Sequence, residues 1–293
     1  MIHIIITSYG ELESTMKTID SFLNQKIKEP YKITVIDPFP EIEKSLKKKY
    51  GKNVDFFLDP GEGKSYALNL FLEKIYSQNK DDIIIFTDGD VHVSENTVQE
   101  FLNSFKDEKI GCVTGKPVPL DEKNNLFGFW SHLLFEGIHR TREKLNTREK
   151  FFECSGYLFA IRNGVLKGFP LEVSEDGIIP YLFWKQGYKT KYIPKAEVYV
   201  LNNYNWKNWK KQKVRNIKGH ENYNVVAPEM PRTKSLFNEI KEGTLFALKY
   251  PKTMKERYWT SLLFLARLNI YLKALYDIKI KKKKYEDGWR ADT

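Results

Sequence analysis

The chain has 293 residues, 41% of them hydrophobic and 29% charged, which predicts a folded protein with a sizeable core and excludes an intrinsically disordered chain. Its formal net charge of +10 favours an anionic partner, which could be a nucleotide, a membrane surface or a nucleic acid. Charge alone does not select among these three partners.

The first ninety residues alternate between strand and helix signals. The predicted strands are Ile2–Thr7, Lys32–Asp37, Val54–Leu58 and Ile83–Thr87, and the predicted helices are Ser14–Gln25, Glu41–Tyr50 and Ser65–Tyr76. This alternation implies parallel strands that are joined by right-handed crossovers. We therefore expect one nucleotide-binding half of an α/β sheet here.

The alternation is looser after residue 90. The predicted helices are Asn96–Phe105, Leu126–Leu145 and Asp176–Gln186, and the predicted strands are Ile110–Pro117, Phe151–Ile161 and Thr190–Val200. We find no internal repeat and no Gly/Ser-rich linker. We therefore expect one catalytic domain over residues 1–225, followed by a basic, amphipathic helical extension over residues 226–293.

The cysteines and the N-terminus bear on the cellular compartment. Cys112 and Cys154 are too few for a disulfide framework or a cysteine metal site. The chain enters Ile2–Thr7 without the basic leader and cleavage site of a signal peptide. We expect a cytoplasmic protein, with the inner face of the membrane as the alternative location.

The most informative segment is a β-branched run that ends at Asp88-Gly89-Asp90. Such a run suits a strand that is buried on both faces of a mainly parallel sheet, and ligands of these sheets bind beyond the strands' carboxyl ends. Carboxylates are hard ligands for Mg²⁺ or Mn²⁺, and a site with one or two of them leaves positions for nucleotide phosphates. The alternative is a strand followed by a polar turn.

A glycine turn precedes the third predicted helix. Gly61 and Gly63 let the backbone approach a phosphate, the helix N-terminus favours anions, and Lys64 adds a positive charge. A P-loop is excluded, because Leu58 stands where the Walker pattern requires glycine. The alternative is a structural turn with a solvated lysine.

Five segments in this order resemble the landmarks of family 2 glycosyltransferases, which include catalytic domains of polysaccharide and lipid-glycan synthases. The segments are Gly63-Lys64-Ser65-Tyr66-Ala67-Leu68-Asn69, Asp88-Gly89-Asp90, Glu153-Cys154-Ser155-Gly156, Ser174-Glu175-Asp176 and Gln212-Lys213-Val214-Arg215. The family patterns are Gly-Lys-x-x-Ala-Leu-Asn, Asp-x-Asp, a small-residue turn, Thr-Glu-Asp and Gln-x-x-Arg-Trp. The resemblance covers about residues 1–220. It implies the GT-A fold, a Rossmann-like, mainly parallel mixed sheet flanked by helices. It also implies a nucleoside-diphosphate sugar donor, a divalent metal and inversion at the anomeric carbon.

The resemblance also implies roles on the donor side. Asp90, with Asp88, would hold Mg²⁺ or Mn²⁺ against the diphosphate as a Lewis acid, and Asp88 would lie nearer the ribose. Gly63 and Lys64 would help to hold the nucleotide.

Two strand ends would contact the nucleotide base. Thr7-Ser8-Tyr9 ends the first strand where the family makes this contact, and Asp37 ends the second. The family's paired acids followed by Gly-Ser are replaced by Asp37-Pro38-Phe39-Pro40, so only Asp37 carries over. A UDP-sugar is the favoured donor.

Asp176 is the candidate catalytic base, with Glu175 orienting a neighbouring group, as the match to Thr-Glu-Asp implies. Ser174 replaces threonine but keeps a hydroxyl that can cap a helix. Alternatively, the two acids are only charges at a helix N-terminus.

The basic segment around Trp209 supplies the last candidates. Gln212 and Arg215 lie three residues apart, so on a helix they share a face and could approach the sugar or the diphosphate together. Asn216 stands where tryptophan is usual, which puts the acceptor-stacking role of that tryptophan in doubt. His220 is a further candidate metal ligand, and the alternative for the whole segment is a solvated basic helix.

The C-terminal stretch from Tyr258 to Ile278 is apolar but contains Arg267 and Lys273, whose placement within a bilayer is costly, so we do not expect a transmembrane helix. Lys279 and the run Lys281–Lys284 follow it. Such a helix can lie on an anionic membrane surface, cover the catalytic domain or form a homodimer. Packing on the catalytic domain or in a dimer is slightly favoured over membrane contact.

The sequence therefore predicts a metal-dependent, inverting, hexosyltransferase-like enzyme with a nucleotide-sugar donor and a glycan or lipid-linked acceptor, as in polysaccharide or glycolipid biosynthesis. A nucleotidyltransferase is disfavoured, because no Arg-rich glycine loop follows the first strand. A basic nucleic-acid-binding protein is the alternative from another class, but no nucleic-acid-binding motif supports it.

Overall fold

The computed structural model describes residues 1–202, 204–231 and 239–282. An eight-stranded mixed sheet forms its centre, with the strand order β3-β2-β1-β4-β7-β6-β8-β5. The strands are β1 (Ile2–Thr7), β2 (Tyr31–Asp37), β3 (Val54–Leu58), β4 (Ile83–Asp88), β5 (Val91–Val93), β6 (Ile110–Pro119), β7 (Leu158–Arg162) and β8 (Lys189–Val200). The first four strands are parallel, as is the β6–β8 pair, whereas β7 is antiparallel to β4 and β6, and β5 is antiparallel to β8.

Helices cover both faces of this sheet. They are α1 (Leu12–Leu23), α2 (Pro40–Tyr50), α3 (Lys64–Ile75), α4 (Thr97–Phe105), α5 (Leu126–Thr147), α6 (Glu175–Lys185), α7 (Trp206–Val226), α8 (Thr244–Lys249) and α9 (Met254–Leu275). Two π-helical turns, Glu239–Gly243 and Tyr276–Ile280, precede α8 and follow α9. The described part of the chain thus has the expected α/β architecture with C-terminal helices, and the fold-class prediction is confirmed.

The two faces of β1 show how the strand pattern builds the core. Side chains alternate across a strand, so Ile4 and Ile6 join one apolar cluster and Ile5 joins the other. The first cluster includes α1, α2 and α4, and the second includes α3 and α6. Burial on both faces explains why this strand is continuously apolar.

The structure differs from the prediction at one predicted strand and at one strand that was not predicted. The strand predicted from Phe151 begins only at Leu158, because residues 151–157 form a buried turn. Cys154 N donates to Asp176 O at 2.9 Å and Ser155 N donates to Thr114 Oγ1 at 2.9 Å, so other elements satisfy the backbone of this turn. The short strand β5 was not predicted.

A third apolar cluster joins the C-terminal helices to the rest of the protein. It contains Phe129 of α5, Trp209 of α7 and Ile270 of α9, and Trp130 Nε1 donates to Trp259 O at 2.7 Å. Within the described residues, no helix is both long enough and apolar enough to span a bilayer. The domain boundary at residue 225 stays a prediction. Two parts of the proposed extension, residues 232–238 and 283–293 with Lys283 and Lys284, lie outside the described residues.

Candidate active site

The carboxyl ends of β1, β2 and β4 meet at one edge of the sheet. Thr7 is in register with both Ile36 and Asp88, so the residues that follow these strands are neighbours. Thr7 Oγ1 donates to Asp88 Oδ1 at 3.2 Å. Gly89 makes this approach possible, because a Cβ there would lie 2.7 Å from the Ser8 Cβ. The Asp-Gly-Asp turn therefore needs its central glycine.

Asp37 organises the loop that follows β1. This carboxylate is fully buried and accepts hydrogen bonds from Ser8 Oγ, from Gly10 N at 2.8 Å and from Phe39 N at 2.9 Å. The Tyr9 ring packs edge-on against Phe39, with 5.1 Å between the ring centroids. Both Asp37 oxygens therefore bind protein groups and hold the loop that carries Ser8 and Tyr9. The nucleotide-binding role of Asp37 stays a prediction.

Lys64 connects two of the predicted motifs. Gly63, with a φ of 112°, turns the chain into α3, and Lys64 Nζ lies 2.8 Å from Asp88 Oδ1 and 2.6 Å from Glu175 Oε1. Burial lowers the pKa of Lys64, but the attraction of Asp88 and Glu175 is larger in sum and raises this pKa above its usual range. Lys64 therefore stays charged and links the end of β4 to the start of α6.

Asp90 lies at the exposed end of the same turn and shares its surroundings with other acids. Desolvation, followed by the charges of Asp88 and Glu11, raises the pKa of Asp90 to about 7. The pKa of Glu11 is also raised, by desolvation and then by Asp37 and Asp88. Negative charge therefore exceeds positive charge at this edge of the sheet, and an added cation would relieve the repulsion.

Asp176 lies in the first turn of α6, beside the buried turn of residues 151–157. Its Oδ2 lies 3.6 Å from the position that a Cβ of Gly156 would occupy. The helix start is held by Tyr223 of α7, whose hydroxyl lies 2.6 Å from Ser174 Oγ. Glu175 is 5% exposed, whereas Asp176 is half-buried. The two adjacent acids therefore differ in surroundings, since Glu175 pairs with Lys64.

Helix α7 brings Arg215 towards this region and carries Gln212 three residues earlier, on the same face of the helix. Among the described residues, no hydrogen-bond partner reaches the buried Gln212 Oε1, which is therefore an acceptor available to a ligand. The positive charge of Arg215 acts on the phenol of Tyr157. His220 Nδ1 lies 3.4 Å from the Oε2 of the buried Glu153, so an acidic partner already faces this ring. The metal-ligand role of His220 stays a prediction.

Tyr157 and Glu11 are further candidates at this edge of the sheet that the sequence did not single out. Burial, followed by the charges of Asp88 and Asp90, raises the pKa of Tyr157, and Arg215 and Asp176 act on it more weakly. Its phenol therefore lies among the donor-side acids, the candidate base and α7. Tyr157 directly follows the small-residue turn Glu153-Cys154-Ser155-Gly156, and this position could have marked it as a candidate. It was not selected because Phe151–Ile161 was predicted to be a strand. Glu11 had no signal apart from its position after β1.

Asp88 and Asp90 are the acids that a metal ion would use at this edge of the sheet. Within the described part of the chain, no three or more His, Cys, Asp and Glu side chains are grouped so that they could hold a metal. Asp88 and Asp90 still fit a hard divalent cation that takes its remaining ligands from phosphates or water. The raised pKa of Asp90 is consistent with this fit, because the negative charges of Asp88 and Glu11 contribute to it after desolvation.

The mixed sheet with helices on both of its faces has a GT-A glycosyltransferase architecture. The model of glycosyltransferase-like family 2 matches residues 2–219, so the chain belongs to this family and is a glycosyltransferase. The predicted resemblance is thereby confirmed. No curated protein sequence matches the chain.

Two solved structures show the same fold at low sequence identity. One is the mannosyltransferase PcManGT from Pyrobaculum calidifontis in complex with GDP-Man and Mn²⁺, with a TM-score of 0.61 and 15% identity over 96% of this chain and 81% of that chain. The other is GalNAc-T7 with UDP, GalNAc and Mn²⁺, with a TM-score of 0.51 and 17% identity over 96% of this chain. The match spans 56% of the GalNAc-T7 chain.

Proposed function

We propose that this glycosyltransferase is metal-dependent and inverting, and that it transfers a sugar from a nucleoside-diphosphate sugar to a hydroxyl of a glycan or lipid-linked acceptor. The observation that carries the proposal is the Lys64 bridge, with 2.8 Å to Asp88 and 2.6 Å to Glu175. It joins the strand end suited to a diphosphate to the helix that carries Asp176. The Mn²⁺ in both structural relatives supports a divalent metal, which is Mg²⁺ or Mn²⁺ in this proposal.

The donor would bind along the edge formed by β1, β2 and β4. Ser8 and Tyr9 would contact the base, because Asp37 and Phe39 hold them at the end of β1. Asp88 would face the ribose, and Asp90 with Asp88 would hold the metal, which stabilises the charge of the departing diphosphate when bound. The two relatives contain GDP-Man and UDP, so they support a nucleotide without selecting the base.

Asp176 would act as the general base. Its carboxylate would accept the proton of the acceptor hydroxyl while that oxygen bonds to the anomeric carbon and the electrons of the breaking bond pass to the diphosphate. A single displacement of this kind inverts the anomeric centre. Glu175 would not compete for the proton, because it is buried against Lys64.

The available acceptor atom on α7 supports binding of a hydroxylated group. A buried amide oxygen without a partner carries a desolvation cost, which a donated hydrogen bond would remove. Gln212 Oε1 is such an atom among the described residues. We assign Gln212, with Arg215, to the sugar and the diphosphate.

The test combines a donor screen with two matched variants. UDP-, GDP-, CDP- and dTDP-sugars are compared by thermal shift and by turnover, with Mn²⁺ and with excess chelator. We expect that Asp90→Asn abolishes metal-dependent turnover, and that Asp176→Asn lowers the transfer rate about 10²–10⁴-fold with nearly unchanged donor affinity. The exposed Asp81 provides the control Asp81→Asn, which should behave as the wild type. Full activity in chelator, or normal transfer by Asp176→Asn, would contradict the proposal.

A further inference from the structure

Helix α9 has two apolar faces, and the described residues cover only one of them. Leu263, Ala266, Ile270 and Ala274 are buried in the third apolar cluster. At about 100° per residue, these four positions lie on one side of the helix. The opposite side carries Met254, Tyr258, Leu265, Leu268 and Leu272, and Tyr276 continues it beyond the helix; we call these six residues the α9 stripe.

The α9 stripe is open to solvent along the whole helix. Its members are between 48% and 76% exposed, and at 1.5 Å per residue the 22-residue helix is about 33 Å long. An apolar surface this long is unusual on a soluble monomer and indicates an interaction site. The core packing expected for this segment therefore accounts for one of its two faces.

The charges around the α9 stripe select the partner. Over residues 254–282, which are all described, the exposed charged side chains are Lys255, Arg257, Lys279, Lys281 and Lys282, and none is acidic. Both acids of this range are engaged. Glu256 accepts the capping-box hydrogen bond at the start of α9, and Asp277 is 6% exposed and lies 2.7 Å from Lys273 Nζ.

This pattern fits an anionic bilayer surface better than a second copy of the chain. A symmetric dimer through the stripe would bring the cations of both copies together, and residues 254–282 contain no exposed acid that could pair with them. Lipid phosphates would neutralise these cations while the apolar side chains enter the headgroup boundary. Tyr258 and Tyr276, near the two ends of the stripe, suit that boundary because they are amphipathic.

We propose that the α9 stripe docks the protein on an anionic membrane surface, with Arg257, Lys279, Lys281 and Lys282 against the lipid phosphates. The helix lies in the plane of the membrane and does not cross it. Its buried face keeps α5 and α7 attached through the third apolar cluster, so docking fixes the orientation of the catalytic domain. This inference does not depend on the identity of the donor or the acceptor.

The apolar contribution is tested by flotation of the full chain with vesicles of phosphatidylcholine, with and without about 30% phosphatidylglycerol. We expect binding to the anionic vesicles only. Leu265→Asp with Leu272→Asp should weaken binding at least about tenfold, because two apolar side chains leave the interface. The matched control, Leu171→Asp with Val225→Asp, changes two exposed apolar residues elsewhere and should bind as the wild type does.

The electrostatic contribution is tested with charge-reversed pairs. Arg257→Glu with Lys279→Glu should weaken binding about tenfold or more, since each basic residue near the surface contributes about 1 kcal/mol, and salt should weaken the wild type similarly. Lys26→Glu with Lys28→Glu changes the net charge equally and should have a smaller effect.

Two results would overturn the proposal. One is the absence of binding to anionic vesicles by a wild-type chain that shows normal cooperative unfolding. The other is a dimer, measured by light scattering, that Leu265→Asp with Leu272→Asp dissociates while vesicle binding is unchanged. Because both leucines are exposed, unfolding curves of this variant should match those of the wild type.

Discussion

Replacement of Lys64 by methionine should destabilise the protein by about 3 kcal/mol, because it leaves Glu175 buried without its cation. The Lys64 and Glu175 side chains are 22% and 6% exposed, and their charged atoms are 2.6 Å apart. Breaking a pair of this kind by removing one partner typically costs about 3–5 kcal/mol, and the residual exposure of Lys64 places the expectation at the lower end. Methionine keeps most of the side-chain volume of lysine, so the loss in free energy of unfolding comes more from the missing charge than from poorer packing.

Urea unfolding followed by tryptophan fluorescence gives the free energy of unfolding for four proteins: wild type, Lys64→Met, Glu175→Gln and the double variant. In the double variant both partners are neutral, so its loss should be smaller than the sum of the single losses by about 2 kcal/mol. Because the pKa of Lys64 is raised, its stabilising charge is fully present below about pH 10.5, and the loss should be equal at pH 8 and pH 9.

Lys32→Met is the matched control, since Lys32 pairs with Asp55 at the surface, where the two side chains are 52% and 43% exposed. An exposed pair contributes about 0–1 kcal/mol. If Lys64→Met costs no more than Lys32→Met, Lys64 is solvated and does not hold the two motifs together.

Three further predictions concern the candidate site and the contact between α6 and α7. The pKa of Asp90 is raised to about 7, so ionisation of Asp90 destabilises the metal-free protein as the pH rises from about 4 to above 7. The raised pKa would correspond to about 4 kcal/mol, which solvent screening of this exposed side chain reduces to about 1 kcal/mol. Asp90→Asn should therefore stabilise the metal-free protein by about that amount at pH 8 and have no effect at pH 4; equal unfolding curves at both pH values would contradict this. Gly177→Ala should cost about 1–3 kcal/mol in thermal unfolding, because its Cβ would lie 2.2 Å from the Tyr223 hydroxyl, whereas Gly243→Ala, with open space around it, should cost nothing. Asp37→Asn should cost about 1–3 kcal/mol in urea unfolding, because an amide cannot accept all three of its hydrogen bonds; a loss below about 0.5 kcal/mol would show that the loop reorganises without cost.

The sequence predicted the strands best where burial is uniform. The bounds predicted for Ile2–Thr7 agree with β1, and those predicted for Ile83–Thr87 agree with β4 to within one residue, because a buried parallel strand is a short apolar run with polar turns at both ends. The segment 151–157 was also predicted to be part of a strand, but it is a buried turn. Its apolar side chains enter the core while Thr114 and Asp176 satisfy its backbone, and those contacts come from distant parts of the chain.

The candidate site shows the same division between local and long-range information. The motif residues could be located from sequence because each motif is short. Their pairing could not, since Lys64, Asp88 and Glu175 meet only after two crossovers and α6 are in place. In the C-terminal helix, the sequence showed an apolar stretch, but the separation into a buried face and an exposed face follows only from its packing on α5 and α7.

The charge balance around Lys64 connects metal binding to donor binding. One ammonium lies among Asp88, Glu175 and the nearby Asp90, so this edge of the sheet is already negative before a diphosphate arrives. The acids would repel a diphosphate that binds alone. Lys64 cannot offset this repulsion, because its positive charge is already balanced by Asp88 and Glu175. A divalent cation at Asp88 and Asp90 would turn the repulsion between this edge of the sheet and the diphosphate into attraction. The cation and the diphosphate would therefore each strengthen the binding of the other by the same factor. The ion pair that holds the two motifs together is thus the physical reason to expect a metal requirement for this enzyme.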